Sequence, residues 1–313
     1  MNTTAAPTPT PGLARWLALD TSTDRLSVAV GPAGGPPLAQ YEGAGGPEAS
    51  RALLPAIREL LARVGWPLAT LDGIAFGRGP GSFTGLRTAC AVVQGLAVAA
   101  RPGGIPVLPL DTLLAVAEGA RADDPDQEGE PHHFPPGAHE TVAGSTLTAS
   151  ADPPAAATRW GPVSDCRPGA TTEAARTTPA TGISSRHVVA ALDARMDEVY
   201  AATYAWDPVG GWRELSLPRL YPPEALPTPD PGSPRWLLAG NVVPVYGTRL
   251  PLAWQTGARA AWPRADALLR LAAAGVAARR CVPAAAAQPL YVRDKVALTV
   301  EEQAALRAQR AAA

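Results

Sequence analysis

A strand, a glycine-rich loop and a helix follow one another in GIAFGRGPGSFTGLRTACAVVQGLA, residues 73–97. The apolar run at residues 72–76 predicts a buried strand, and the small and apolar residues at 86–100 predict a helix. A further apolar run at residues 105–110 predicts a second strand after this helix. Because strand, loop, helix and strand occur in this order, the segment is typical of one half of an α/β domain.

The loop at residues 77–85, GRGPGSFTG, allows two interpretations. Its glycines permit a tight turn and would present backbone amides at the N-terminus of the following helix, where phosphate groups bind. No lysine follows the last glycine, so the loop is not a Walker A motif, and its glycine spacing does not fit the dinucleotide fingerprint. The alternative is a loop whose glycines let one backbone pack closely against another.

A second candidate feature is a short polar turn between apolar runs at residues 13–19 and 26–30, which together predict a hairpin. The turn consists of Asp20, Thr21, Ser22 and Thr23. Its hydroxyls and amides could hold phosphate oxygens, and its aspartate could hold Mg²⁺ through water. Alternatively, these side chains bond only to their own backbone, as in many polar turns.

Two predicted helices carry apolar or small-residue stripes whose packing partner is open. The first spans residues 47–64; on the second, Ala91, Gly95 and Ala99 recur at every fourth position and would let another helix approach closely. Such stripes are covered either by their own domain or by a partner protein, since large exposed apolar patches mark interfaces. The residues predicted to form a partner interface are Leu53, Leu54, Ile57, Leu61, Leu86, Cys90 and Val93.

Length and composition predict about two domains separated by a segment without a core. The chain has 313 residues, of which 46% are hydrophobic, so the apolar content suffices for a sizeable core. Its 30 glycines and 35 prolines require long loops or disorder in part of the chain. The predicted divisions are a disordered tail at 1–12, a first lobe at 13–120, a low-complexity Pro/Gly/Ala/Thr-rich insertion at 121–186, a second lobe at 187–297 and a C-terminal tail at 298–313.

Charged and metal-ligating residues argue against several classes of function. The net charge of −1, without a clustered basic excess, disfavours a direct nucleic-acid binder. Three widely spaced cysteines without a CxxC pair exclude a disulfide framework and a zinc ribbon. Three of the four histidines lie in the insertion, so we predict no metal site and no catalytic residues. Asp193, Asp197 and Glu198 are candidate acids or, alternatively, parts of a polar hairpin turn.

The sequence predicts a cytoplasmic protein without membrane contact. The N-terminus lacks the basic start and apolar run of a signal peptide. No apolar run approaches the roughly 18 residues needed to span a bilayer.

Taken in order, these motifs resemble the TsaB (YeaZ) family, and GRGPGSFTGLR and DARMDEVY are the most specific of them. The matching segments are LALDTSTDRLSVAV (17–30), EASRALLPAI (48–57), GIAFGRGPGSFTGLRTACAVVQGLA (73–97), VLPLDTLLAVAEGA (107–120), VVAALDARMDEVYAATY (188–204) and QPLYVRDKVA (288–297). The resemblance implies an α/β, two-lobed actin/sugar-kinase-like (ASKHA, ribonuclease H-like) fold with mixed sheets flanked by helices. It also implies that Asp20–Thr23 corresponds to the first phosphate loop of that superfamily.

The resemblance further implies a non-catalytic subunit in tRNA modification. Its partner would be a TsaD-type subunit, which transfers a threonylcarbamoyl group to N6 of adenosine 37 in tRNAs reading ANN codons, and a TsaE-type ATPase would complete the complex. Pairing with TsaD would use helices that map onto residues 47–64 and 84–100, and an unpartnered chain would pair with itself. The chain alone would bind no cofactor; ATP and a metal are expected in the partner subunits, and tRNA contacts it only indirectly through the complex.

Two departures and two rivals qualify this resemblance. Residues 121–186 stand where the family has a short link, and Ala49 replaces a histidine that family members often carry. One rival is a small-molecule phosphotransferase that holds nucleotide phosphate with Asp20–Thr23, for which Gly240-Asn241 is the only adenosine-site candidate. The other is a tRNA-binding module that acts directly.

Overall fold

The computed structural model describes residues 15–124, 186–229, 236–254 and 258–293. The predicted tails at 1–12 and 298–313, and nearly all of the predicted insertion, therefore lie outside the described residues. A helix reaches Ala122 and a strand begins at Arg186, so these elements extend two residues and one residue, respectively, into the segment predicted as the insertion.

The first sheet has five strands in the order β3-β2-β1-β4-β5. Its β1–β2 and β2–β3 pairs are antiparallel, whereas β1–β4 and β4–β5 are parallel. Antiparallel neighbours joined by tight turns and parallel neighbours joined through a helix are what the sequence order requires. The strands are β1 (Trp16–Asp20), β2 (Arg25–Gly31), β3 (Ala39–Ala44), β4 (Gly73–Gly79) and β5 (Val107–Asp111).

The second sheet repeats this topology in the order β10-β9-β6-β7-β8. The β6–β7 and β7–β8 pairs are antiparallel, and β6–β9 and β9–β10 are parallel, so β6 takes the place of β1. The two mixed sheets confirm the predicted two-lobed α/β fold. The strands are β6 (Arg186–Arg195), β7 (Glu198–Asp207), β8 (Gly211–Tyr221), β9 (Trp236–Gly240) and β10 (Arg259–Ala260).

In the part of the chain that the structure describes, five α-helices cover these sheets, and two of them pack on the sheet of the other lobe. Helices α1 and α2 pack on one face of the first sheet, in the core that contains Leu17, Val28 and Phe76. The opposite face is covered by α5, which comes from the C-terminal half, while α3 packs on the second sheet. The helices are α1 (Ala49–Arg63), α2 (Phe83–Ala100), α3 (Thr112–Ala122), α4 (Val242–Tyr246) and α5 (Ala265–Ala277).

A buried carboxylate marks the junction where α3, α5 and β8 meet. Glu118 accepts two hydrogen bonds from Arg121, one from Arg270 and one from the Trp212 indole, all at 2.8–2.9 Å. Burial by itself would raise the pKa of Glu118, but the two guanidinium groups and the indole hold it below its usual value. The junction therefore joins the exchanged helices to the second sheet through charge-assisted bonds.

Helix α2 corrects one expectation from the sequence. Within the described ranges it is long and apolar enough, by length and composition alone, to cross a membrane, although no run of that length was expected. Seven of its 18 residues are buried, and five of these belong to the core of the first lobe, so the core accounts for part of the apolar character of this helix.

Candidate functional site

The glycine-rich loop packs directly against the Asp20–Thr23 turn. A Cβ atom on Gly77 would overlap the Asp20 carboxylate, and one on Gly85 would overlap the Thr21 carbonyl oxygen. A Cβ on Gly81 would lie 2.5 Å from the Ser22 carbonyl oxygen. The two sequence motifs are thus brought together as predicted for close backbone packing, the second of the two interpretations of this loop.

The polar groups of the turn are engaged within the fold. The Ser22 amide and hydroxyl donate to Asp20 Oδ1 at 2.8 and 2.6 Å, and the Thr112 hydroxyl lies 3.5 Å from Oδ2. The Thr21 hydroxyl donates to the Gly85 carbonyl at 2.7 Å. Asp20 is fully buried, and this burial raises the pKa of its carboxyl to about 7.

This arrangement bears on the phosphate-loop prediction. Asp20, Thr21 and Ser22 are buried, whereas Thr23 is half-buried and its hydroxyl oxygen accepts a bond from the Arg25 amide at 3.2 Å. Asp20 is fully buried and its Oδ1 already accepts both bonds from Ser22, so this arrangement disfavours holding Mg²⁺ through water. The side chains instead bond to their own turn and to the loop beside it.

The corresponding turn of the second sheet has a different character. Arg195, Met196 and Asp197 all have φ between 56° and 62°, a left-handed run that is costly for residues with side chains. Asp193 Oδ1 accepts from the Arg195 amide and from the Tyr246 hydroxyl, both at 2.8 Å. The candidate acids at 193, 197 and 198 therefore form a polar hairpin turn, the alternative that the sequence left open.

A cleft of about 530 Å³ lies between the two turns. Thr23, Asp24 and Phe83 line it from the first lobe, and Asp193 and Arg195 line it from the second. The segment at residues 290–293 also lines it. The cleft thus joins the two turns, α2 and the C-terminal part of the described chain.

Six of the seven residues predicted to form a partner interface are buried within the chain's own fold. Leu53, Ile57, Leu61, Cys90 and Val93 are buried in the core beneath α1 and α2. Leu86 is buried near the start of α2, beside Gly79. These side chains pack against the first sheet and are therefore unavailable to a partner. Only Leu54 is exposed, with 39% of its surface accessible.

The small-residue stripe on α2 faces the surface of the molecule, away from this core. Ala91, Gly95 and Ala99 are exposed, and a Cβ on Gly95 would meet no atom within 4 Å. Val98, beside them, is 66% exposed. We call Ala91, Gly95, Val98 and Ala99 the α2 outer face. Its four-residue spacing was the sequence signal for a close helix contact, and it identifies a face that the larger apolar residues do not.

The described ranges contain no group of three or more His, Cys, Asp or Glu side chains that could hold a metal ion. His187 packs against Trp236, with 4.9 Å between the ring centroids. The histidines at 132, 133 and 139 lie outside the described residues.

Comparison with known proteins agrees with this architecture. Residues 46–143 match the family described as "TsaD: tRNA N6-adenosine threonylcarbamoyltransferase". The chain is 28% identical over 287 residues to the tRNA threonylcarbamoyladenosine biosynthesis protein TsaB of Escherichia coli K12, covering 90% of this chain and 96% of that protein. The Haemophilus influenzae TsaB is 44% identical over 108 residues, 33% of this chain and 42% of that protein.

Solved structures extend the likeness to the whole fold. YeaZ from Pseudomonas aeruginosa is 30% identical and superposes with a TM-score of 0.62, covering 89% of this chain and all of that one. Together with the duplicated mixed sheets, this likeness confirms the predicted actin-like fold. Because the 30% identity extends over the full length of the solved protein, the chain belongs to the TsaB (YeaZ) family.

Proposed function

We propose that the chain is a non-catalytic subunit that supports a TsaD-type transferase in N6-threonylcarbamoylation of adenosine 37 in tRNAs reading ANN codons. Its family membership already assigns it to tRNA threonylcarbamoyladenosine biosynthesis. The observation that carries the subunit role is the α2 outer face, an exposed, uncharged stripe of small residues on a helix whose opposite side is buried in the core of the first lobe.

The α2 outer face suits a helix of another protein. Small residues at every fourth position let two backbones approach closely, and the open space above Gly95 leaves room for a side chain from the partner. Leu54, exposed on the neighbouring α1, would extend the apolar area. Exposed apolar area of this kind is typical of an interface.

The geometry of the first turn favours this role over the rival phosphotransferase. A kinase needs phosphate-binding donors that are free, yet the Thr21 and Ser22 hydroxyls already donate within the fold. Gly240 is the candidate on the adenosine side. The Ala191 carbonyl oxygen already occupies the space that a Cβ on Gly240 would take, so a ligand could not approach the glycine from that side. Titration with Mg-ATP should therefore give no heat of binding for this chain alone.

The remaining assignments follow from the subunit role. We assign ATP and metal to the TsaD-type subunit and a TsaE-type ATPase, and tRNA contact to the assembled complex. The same α2 outer face would serve a homodimer when no partner is present. The complex would work in the cytoplasm without membrane contact.

Light scattering coupled to size exclusion tests the proposal, with this chain alone and mixed with its cognate TsaD-type subunit. We expect a heterodimer with the wild-type chain and none with Gly95→Glu, which blocks the α2 outer face. The variant should keep its fold, because the added side chain points into open space.

Ala274→Glu is the matched control, since Ala274 is exposed on α5, on another part of the surface. It should leave heterodimer formation unchanged. A heterodimer that forms equally well with Gly95→Glu would contradict the assignment of the interface. Leu86→Glu is unsuitable as a probe, because Leu86 is buried and its loss would disrupt the core.

A further inference from the structure

Residues Ala287–Arg293, here called the strap, run along α2 before crossing the cleft. The Ala287 carbonyl accepts bonds from the Gln94 side chain at 2.9 Å and from the Cys90 thiol at 3.1 Å. The Leu290 amide donates to the Arg78 carbonyl, in β4, at 2.7 Å. The strap is thus fixed to the first lobe by its backbone.

Tyr291 adds a side-chain contact at the start of α2. Its ring lies 5.3 Å from that of Phe83, and its hydroxyl accepts a bond from Arg87 Nε at 3.0 Å. The Arg87 guanidinium in turn lies 3.8 Å from the centre of the Phe83 ring. Together with Cys90 and Gln94, these contacts follow α2 for about three turns, along a line about 90° around the helix from the centre of its outer face.

Arg293 ends the strap on the second lobe. Its guanidinium donates to the Glu198 carboxylate, to the Arg195 carbonyl at 3.3 Å and to Met196 Sδ at 3.4 Å. The Arg293 side chain is only 14% exposed, so this pair is screened less than a surface ion pair. The left-handed run at 195–197 is costly by itself and depends on such external bonds to persist.

We propose that the strap is a latch that holds the two lobes at a fixed separation across the cleft and thereby fixes the position of α2. This inference rests on the proposed function in one respect, namely that α2 carries the partner interface. Since the strap and the proposed partner would contact neighbouring sides of the same helix, a closed latch and a bound partner stabilise the same position of α2, and each should strengthen the other.

Hydrogen exchange on the full chain tests the latch without any partner. The Leu290 amide reports closure, because it exchanges only when its bond to the Arg78 carbonyl opens. We expect Arg293→Ala to raise its exchange rate at least tenfold, while the amides of β1 keep their protection. The charge-swapped pair Glu198→Arg with Arg293→Glu should restore protection to within about threefold of the wild-type chain.

Arg249→Ala is the matched control. Arg249 binds Asp197 at 2.9 Å and Glu224 at 2.7 Å, so it supports the same turn, and none of its hydrogen bonds or ion pairs reaches the strap. It should leave the Leu290 amide unchanged. Unchanged protection in Arg293→Ala, or an equal loss in Arg249→Ala, would overturn the latch.

Affinity for the TsaD-type subunit tests the coupling. We expect Arg293→Ala to raise the dissociation constant several-fold although it leaves the α2 outer face intact, and the charge-swapped pair to recover most of the loss. An unchanged dissociation constant would overturn the coupling alone. Failure of the wild-type chain to bind would instead contradict the proposed function, while the exchange result would still decide whether the latch exists.

Discussion

Asp20 and Asp193 occupy matching places in the two sheets and have different environments. Each lies near the end of the first strand of its sheet, and each accepts a hydrogen bond at 2.8 Å from the amide two residues further on. Asp20 is sealed beneath the glycine-rich loop, whereas Asp193 binds Tyr246 and the exposed Arg195 at the edge of the cleft. The same bond from the amide at i+2 to the aspartate thus closes a buried turn in the first lobe and a turn at the edge of the cleft in the second lobe.

The helices that pack beside the two turns differ in length. After β4 the first lobe has the 18-residue α2, whereas after β9 the second lobe has only the five-residue α4. Gly85, in the first helical turn of α2, contacts the Thr21 carbonyl. The N-terminus of this long helix therefore depends on the buried Asp20–Thr23 turn beneath it. The first lobe therefore supplies the rigid base for the α2 outer face.

Gly85→Ala should have the largest effect, because it breaks this seal. The added methyl group would overlap the Thr21 carbonyl oxygen. Because this oxygen is a backbone atom, it cannot rotate away as the end of a flexible side chain could. We expect the free energy of unfolding to fall by about 4 kcal/mol or more, or the chain to fail to fold. Urea unfolding measures the effect, and a loss below about 1 kcal/mol would show that the turn is not rigidly packed.

Asp20→Asn sharpens the comparison through its pH dependence. The folded-state pKa of Asp20 is raised from 3.8 to about 7, so ionisation destabilises the folded chain, and this loss develops as the pH rises from about 4 to 7. Asparagine keeps the oxygen that accepts the Ser22 bonds and carries no charge. We expect Asp20→Asn to be more stable than the wild-type chain by about 2 kcal/mol at pH 8, with no gain at pH 4.

Thermal unfolding at pH 4, 6 and 8 distinguishes the two chains. A wild-type advantage at pH 8 would mean that the carboxylate is ionised and stabilised by its surroundings. The buried turn would then resemble a functional phosphate loop more closely than its burial suggests.

Asp193→Asn should have the opposite sign. The Asp193 carboxylate accepts charge-assisted bonds from the Tyr246 hydroxyl and the Arg195 guanidinium, and asparagine weakens both. We expect a loss of about 1 kcal/mol at pH 7, measured by urea unfolding. A gain in stability here would remove the contrast between the two turns.

The sequence predicted the architecture well because hydrophobic runs and turn residues report local structure directly. The hairpin at 20–24, the glycine-rich loop and α2 were all predicted from such signals. Strand β3 was missed, because AQYEGA is short, lies at the sheet edge and buries only its first residue fully. The exchange of α3 and α5 between the lobes was also missed, because sequence order does not show which sheet a helix covers.

The site was predicted in location more than in detail. Both helices of the proposed interface were identified, yet the large apolar residues chosen on them face the core. Leucine and isoleucine stripes mark the side of a helix with the most area to bury, and in α1 and α2 that is the side toward the first sheet. The surface stripe consists of small residues, which hydrophobicity alone does not separate from the core.

Gly95→Ala should have the smallest effect and the opposite sign from Gly85→Ala in the same helix. A Cβ on Gly95 meets nothing within 4 Å, so alanine costs no packing and improves helix propensity. We expect a gain of about 0.5–1 kcal/mol in the free energy of unfolding. Urea unfolding of both variants gives the comparison. Since the two substitutions are the same Gly→Ala change in one helix, the difference between their free energies of unfolding reports only the surroundings of each glycine. A stabilised chain that also binds the proposed TsaD-type partner less tightly would show that Gly95 is retained for close approach of that partner at the expense of stability.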